Sequence, residues 1–439
     1  MSHFKIIGGN PLFGSVRVGG AKNASYKLMI AALLGDAPSR LLNFSHISDV
    51  QMVAEIINSL GAKAQLVGER AYMVDPTSLS SHDIAEKYGR ISRASSLFIP
   101  ALLSRFGEVS VPFPGGDKIG ARPLDRHFDG LAALGVEVKF ENELIHAKTK
   151  GLHGATYCFP KSTHTGTETL IMTAVKAKGV TLLQNAALET EIDDLIEFLN
   201  TMGAKIERLP NRVIKIEGVE HLHGAIHQIM PDHNQVVSFA CAAIATKGDV
   251  IVENARPSDL TAFLTALDQA HAGYQVGNFG VRFFYKGPLQ GAVIATGIHP
   301  GFKTDWQPLW VTMMTQATGV SVLHETVLEN RFAYVKALNE MGASIQLFNP
   351  EVDNPDKLYN FNLENDRPEF FHAARIVGPS ALHGGEFDVQ DLRHGATLMI
   401  AGLTATGETT LHDSTDHIDR GYEKLDRILH KLGANIQRY

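Results

Sequence analysis

The sequence predicts an α/β fold of two domains, each assembled from three similar units, and three recurring signatures carry that prediction. The first is a helix that ends in a Leu-Gly-Ala-like turn and runs into a strand. Its copies are INSLGAKAQLV, GLAALGVEVKF, FLNTMGAKIERL, LTALDQAHAGYQV, ALNEMGASIQLF and ILHKLGANIQRY. The second is an apolar helix, a glycine and a strand. Its glycines are Gly35, Gly107, Gly179, Gly248, Gly319 and Gly407, spaced 72, 72, 69, 71 and 88 residues apart. The third opens most units with Leu-x-Gly and a strand: LFGSVRV, LHGATYCF, LHGAIHQI, LQGAVIAT and LHGGEFDV, with only LSSHDI in the second unit. Repeats of this length are too long for a thin solenoid. Six of them, grouped three and three, suit two globular domains of roughly 200 residues.

Within a unit the order reads strand, helix, strand, helix, strand. Stretches such as SVRV and QVGNFGVRFF alternate with a period of two, and the helices carry apolar residues at helical spacing. Gly61, Gly135, Gly203, Gly342 and Gly433 stand just past their helices, where a positive φ is needed, and His271 takes that place in the fourth unit. His153, His223 and His383 share one repeat position beside a turn glycine, so they are expected to be structural and no metal site is assigned.

The 439 residues are 44% hydrophobic and carry a formal net charge of -7, which implies neither nucleic acid nor a membrane surface as a partner. Cys158 and Cys241 make no disulfide framework and no zinc spacing. The N-terminus has no basic segment ahead of a long apolar run. No window approaches the ~18 unbroken apolar residues of a membrane span. A cytoplasmic location is expected.

The units stop being equivalent where the second-signature helix begins. GGAKNAS, SRASS, HTGTET, MPDHNQ, KTDWQP and QDLRHG occupy one position, with Lys22, Arg93, Gly166, His233, Asp305 and Arg393 thirteen to fifteen residues before their glycines. Helix N-termini present unpaired N–H groups and a positive dipole end, a ready anion site. Thr165, Asn23 and Asp232 are expected N-caps. Lys or Arg at a helix start is not explained by capping, because the dipole disfavours cations there. Lys22, Arg93 and Arg393 are therefore candidates for holding a strongly anionic ligand.

Two stretches depart in length. Gly107 to Gly135 spans 28 residues against 23 to 26 in the other five intervals, and PFPGGDKIGARPLDRH at 112–127 lies inside it. Its Gly/Pro density marks irregular backbone, and Asp117, Lys118, Arg122, Asp125 and Arg126 make it a candidate anion-handling lid. The acidic, Asn/Pro-rich segment at 348–371 accounts for the long fifth spacing and is expected to be a surface excursion.

Over nearly its whole length the sequence resembles the enolpyruvyl transferase family, and within it the UDP-N-acetylglucosamine 1-carboxyvinyltransferases. GGAKNA at 19–24, RAS at 93–95, PGGDKIGARPLDRH at 114–127 and ETEIDD at 189–194 carry the likeness. So do TDWQ at 304–307, ETVLENRF at 325–332, DLR at 391–393 and HIDRGYE at 417–423. The resemblance implies a two-domain inverse α/β barrel of six βαβαβ-type units. One domain would be 23–230, carrying the loop 112–127, and the other 1–22 plus 231–439, with the active site in the cleft between them. It implies addition–elimination on phosphoenolpyruvate and UDP-N-acetylglucosamine, with no cofactor.

By the same resemblance, Lys22 and Arg122 hold the phosphate, and Arg393 and Arg420 the carboxylate. Asn23 and Asp305 position or deprotonate the sugar hydroxyl, and Arg93 favours the closed state. Leu124, Asp125, His164, Thr165, Gly166, Glu329 and the backbone of Val327 line the sugar-nucleotide site. Asp117 stands where many members have Cys and some Asp, at the residue assigned protonation of C3 or product release, with Lys22 as the alternative proton donor. Its neighbours Lys118 and Arg122 should push it toward its anion. Ser48 and His233 also depart, standing where the family often has Lys and Arg. Two alternatives are carried: transfer to shikimate 3-phosphate, and a non-catalytic paralogue that binds sugar nucleotide. AKNAS and SRASS speak against the first, which has Lys-Ser and Asn-Ala-Gly-Thr at those junctions.

Overall fold

The Leu-Gly-Ala turns set the geometry of every unit. Gly61, Gly135, Gly203, Gly342 and Gly433 all have φ between 88° and 104°, and His271 is driven to φ 53° at the same place. A side chain is strained there, which is why glycine recurs. His153, His223 and His383 lie against three of these turns. A Cβ on Gly135, Gly203 or Gly342 would meet their imidazole carbons at 2.9, 3.4 and 3.3 Å, respectively. The shared histidines are thus packing residues of the turn.

The computed structural model describes residues 2–91, 93–115 and 120–439. Among them the strands form six sheets, five of four strands and one of three. In five of the six sheets of the described residues the Leu-Gly-Ala strand is followed by an antiparallel strand that the expected pattern did not include, and this strand takes an inner place in its sheet. Val136–Glu141 turns into Leu144–Thr149 through Asn142 and Glu143, both at positive φ, and Lys205–Leu209 turns into Val213–Glu217 through Asn211 and Arg212 in the same way. Two consecutive positive φ values match the twist of antiparallel strands.

Strand partnership departs from chain order. Phe13–Val16 opens the first unit in sequence but pairs in parallel with Asp249–Val252 of the fourth. Ile226–Gln228 opens the fourth but pairs in parallel with Ser39–Leu42 of the first. In the last sheet the extra inner strand is Ser2–Ile7, between Glu408–Asp413 and Asn435–Arg438. LSSHDI yields only an isolated bridge, Asp83 to Ser110, which leaves that sheet at three strands.

The chain divides into two compact units, one of Met1–Val18, Asp117–Arg122 and Pro231–Tyr439, the other of Gly19–Gly116 and Pro123–Met230. Residues 19–22 therefore go with the second of these. Ala121 goes with the first, where the Glu329 carboxylate accepts its N–H at 2.5 Å. Each unit has its own hydrophobic core. In the first, His233–Ala245, Gln307–Met314 and Leu392–Thr404 pack on one another and are buried on nearly every side, as helices apolar all round must be. The second has Lys22–Ala31, Ile99–Phe106 and His164–Ala174 in the equivalent places.

The segment 348–371 is only partly a surface excursion. Tyr359 and Phe361 are buried and stacked 4.8 Å apart, and the Asn360 N–H donates to the Thr326 carbonyl.

Candidate functional site

In the unit of Pro231–Tyr439 three helix starts are wired together. Asp232 caps His233–Ala245, as expected, by accepting the N–H groups of Asn234 and Gln235. Asp391 caps Leu392–Thr404 by accepting those of Arg393 and His394. Asp305 lies just ahead of Gln307–Met314 and takes two guanidiniums, Arg331 at 3.2 Å and Arg393 at 3.3 Å. The other arm of Arg393 donates to the Tyr422 hydroxyl at 2.8 Å, which lies 2.7 Å from Ser238 Oγ. Burial opposes the Arg393 charge, but Tyr422, Asp305 and Asp232 outweigh it and raise its pKa above the ordinary value. Burial likewise pushes the Tyr422 phenol up. Lys303 Nζ stands 2.8 Å from the buried His233 Nε2, and Trp306 Nε1 donates to Asn234 Oδ1.

Arg420 ends a short 3-10 turn, Ile418–Arg420, pinned by Asp413. The Asp413 carboxylate accepts the His417 and Ile418 N–H groups at 2.7 and 2.9 Å. The stretch 325–329 is organised by Glu325, fully buried, which accepts the N–H groups of Val327 and Leu328 and the Thr304 hydroxyl. Burial raises its pKa against those hydrogen bonds. The Val327 N–H is thereby committed, so the carbonyl is the part of that backbone left for a ligand. Arg122 follows Ala121 with φ 42°, a strained value for a side chain. Asp117 lies outside the described residues.

In the unit of Gly19–Gly116 and Pro123–Met230, Lys22 is the first residue of its helix and pairs with the buried Asp49 at 2.9 Å. Asn23 is its neighbour inside the helix rather than a cap; the N-cap is Ala21, with no side-chain hydrogen bond. Ser48 opens the next helix, Ser48–Ser59, beside Asp49. Arg93 begins the turn Arg93–Phe98 ahead of Ile99–Phe106. Thr163, not Thr165, caps His164–Ala174 by accepting the Gly166 N–H. Position 163 has the extended backbone a cap needs (φ -141°, ψ 120°), whereas Thr165 is already helical and its hydroxyl lies 2.9 Å from His127 Nε2. Burial, then the Arg93 charge, lowers the pKa of His127 to about 3 and holds it neutral. Leu124 is buried just ahead of Asp125–Ala133, whose first residue Asp125 is exposed.

Sequence reading missed Asp49, Asp413, Tyr422 and Lys303, for which no repeat signal exists. It also missed Lys27 and Glu168, a fully buried pair 2.5 Å apart. For these a signal was present, because the other five units carry apolar or small residues at both positions. Among the described residues no group of three or more His, Cys, Asp or Glu could hold a metal ion, and no helix is long and apolar enough to cross a membrane.

The structure is thus an α/β fold with cationic and acidic side chains at several helix starts. The chain belongs to the EPSP synthase (3-phosphoshikimate 1-carboxyvinyltransferase) family, whose model matches residues 6–429. Among its relatives is the UDP-N-acetylglucosamine 1-carboxyvinyltransferase of Chlamydia abortus, 39% identical over 99% of this chain and 98% of that one. The protein of the same name from Koribacter versatilis is 38% identical over 100% of this chain and 96% of its own. The crystal structure of the enolpyruvyl transferase NikO from Streptomyces tendae matches with a TM-score of 0.84 at 25% identity, covering 100% of this chain and 98% of that one. EPSP synthase from Acinetobacter baumannii, 17% identical with a TM-score of 0.74, covers 100% of both chains and shares the fold.

Proposed function

We propose that this chain transfers the enolpyruvyl group of phosphoenolpyruvate to the 3-hydroxyl of UDP-N-acetylglucosamine and releases phosphate, the first committed step of peptidoglycan synthesis, in the cytoplasm. The observation that carries this reading is full-length likeness, at 36–39% identity, to four proteins named for that activity. We read the fold as an inverse α/β barrel of six similar units in two domains, with the first boundary after Val18 rather than after Lys22.

Lys22 and Arg122 bind the phosphate of phosphoenolpyruvate; Arg393 and Arg420 bind its carboxylate, for which planar guanidiniums are suited. Asn23 orients the sugar hydroxyl. Arg93 favours the closed state. Leu124, Asp125, His164, Thr165, Gly166, the Val327 carbonyl and Glu329 hold the sugar nucleotide. Asp305 takes the hydroxyl proton as the oxygen bonds to C2, while C3 is protonated by Asp117 or Lys22. The C2–O bond to phosphate then breaks, phosphate leaves, and C3 gives up a proton to form the enolpyruvyl ether.

The test is phosphate release from phosphoenolpyruvate with UDP-N-acetylglucosamine against shikimate 3-phosphate. Release with the sugar nucleotide alone is expected. Release with the shikimate ester instead would transfer the reading to the sister reaction. Sugar-nucleotide binding that shifts the melting temperature without any phosphate release would mark a non-catalytic paralogue. With Asp rather than Cys at 117, an epoxide that alkylates a loop thiol is expected to leave activity intact. Time-dependent inactivation with an adduct on residues 112–122 would refute that.

A further inference from the structure

Lys27 and Glu168 are charged groups placed where this fold otherwise puts core side chains. Eight residues before the second-signature glycine, where Lys27 stands, the other units have Ile99, Ile171, Ala240, Val311 and Met399. Eleven residues before it, where Glu168 stands, they have Ala24, Ser96, Val237, Pro308 and Ala396. Lys27 is 1% exposed and Glu168 0%. Two charges withdrawn from water are costly, and an apolar pair would fill the same space. The pair touches a third group. His164 Nε2 lies 3.1 Å from Glu168 Oε1 and 3.3 Å from Lys27 Nζ, and its side chain is still 22% exposed. His164 is also the first residue of His164–Ala174, where free N–H groups and the helix dipole favour an anion.

We propose that Lys27 and Glu168 are positioning residues that hold His164 as an imidazolium facing the diphosphate of the sugar nucleotide. The inference rests on the function proposed above and adds to it how that ligand's charge is met. One carboxylate serves two nitrogen bases, with one oxygen toward each. With His164 neutral the triad has no net charge; with His164 protonated it carries one positive charge, which a bound dianion compensates. Burial is the largest influence and lowers the proton affinity of His164, as does the Lys27 ammonium, but the charge and hydrogen bond of Glu168, with help from Glu191 on Thr190–Thr201, leave its pKa raised. His127, against Thr165, is held neutral and contributes no charge.

The sign follows. The imidazolium is present below the raised pKa and is lost as pH climbs through it, so sugar-nucleotide binding weakens in that window. The test measures KM for UDP-N-acetylglucosamine and for phosphoenolpyruvate from about pH 6 to 9 in the wild type, Glu168→Gln and Lys27→Met. In the wild type KM for the sugar nucleotide is expected to rise across the window, while KM for phosphoenolpyruvate does not follow. Glu168→Gln should move the rise to lower pH and Lys27→Met to higher pH. A displacement of about one unit changes KM about tenfold at fixed pH. A merely structural role would move both variants the same way. Breaks that stay put, or move together, in an active protein overturn the inference. If the wild type releases no phosphate, the reading of function falls instead. The inference is then decided, as it is if the variants fail to fold, by the His164 imidazole resonances of the wild type with and without UDP-N-acetylglucosamine. A rise in the His164 pKa on binding supports it; no change overturns it.

Discussion

Two histidines, one in each unit, stand fifteen residues before their second-signature glycines and open equivalent helices. His164 Nε2 lies beside Lys27 and Glu168; His233 Nε2 lies beside Lys303, and Val237 occupies the repeat position of Glu168. Glu168 lets His164 compete for a proton against a neighbouring ammonium. Both rings face an ammonium; His164 also faces a carboxylate one helical turn on, Glu168, where the other helix has Val237. Charges meet at helix mouths in both units, Arg393 with Asp305 in one and Lys22 with Asp49 in the other, whereas Lys27 and Glu168 meet inside the core.

Breaking the buried pair should produce the largest effect on stability. Glu168→Val, which gives that site the side chain at 237, leaves Lys27 buried without its carboxylate and should cost about 3–5 kcal/mol. Adding Lys27→Met restores the apolar filling of the other units and should recover most of that loss. Urea unfolding of the single and double variants reads both, and a double variant no more stable than the single would show that the charges are not the cause. Arg393→Ala should lower kcat/KM about 10²–10³-fold, with Arg393→Lys a poor substitute; steady-state phosphate release measures it. Asp413→Ala unties the turn that ends in Arg420 and should cost about 1–3 kcal/mol. Its KM for phosphoenolpyruvate should rise more than its KM for the sugar nucleotide. The smallest effect is a gain. His271→Gly relieves the positive φ that five units assign to glycine and should stabilise by about 1 kcal/mol, read as a higher urea midpoint.

The long-spacing features were the hardest to read. The Gly/Pro-rich stretch at 112–127 was legible as irregular backbone, and its family likeness gave Arg122 a role. That Ala121 is tied to Glu329, some 200 residues on in the chain, was not legible, because a backbone N–H has no side-chain signature. The acidic segment at 348–371 looked like solvated loop from its composition. Among its apolar residues Tyr359 and Phe361 bury while Leu358, Leu363 and Phe371 stay exposed, a choice that composition does not encode.

The sequence by itself determined the six repeats, their turn glycines and the six helix starts, because period, turn chemistry and charge at a helix N-terminus are local properties. It also pointed to Lys22, Arg93 and Arg393, cations at helix starts where the dipole disfavours them. Only the tertiary structure decided that Phe13–Val16 and Ile226–Gln228 exchange partners, that Ser2–Ile7 completes the last sheet, and that Asp49 answers Lys22. Alternation marks a strand but not its neighbour, and a carboxylate is matched to a cation only when the fold brings them within reach.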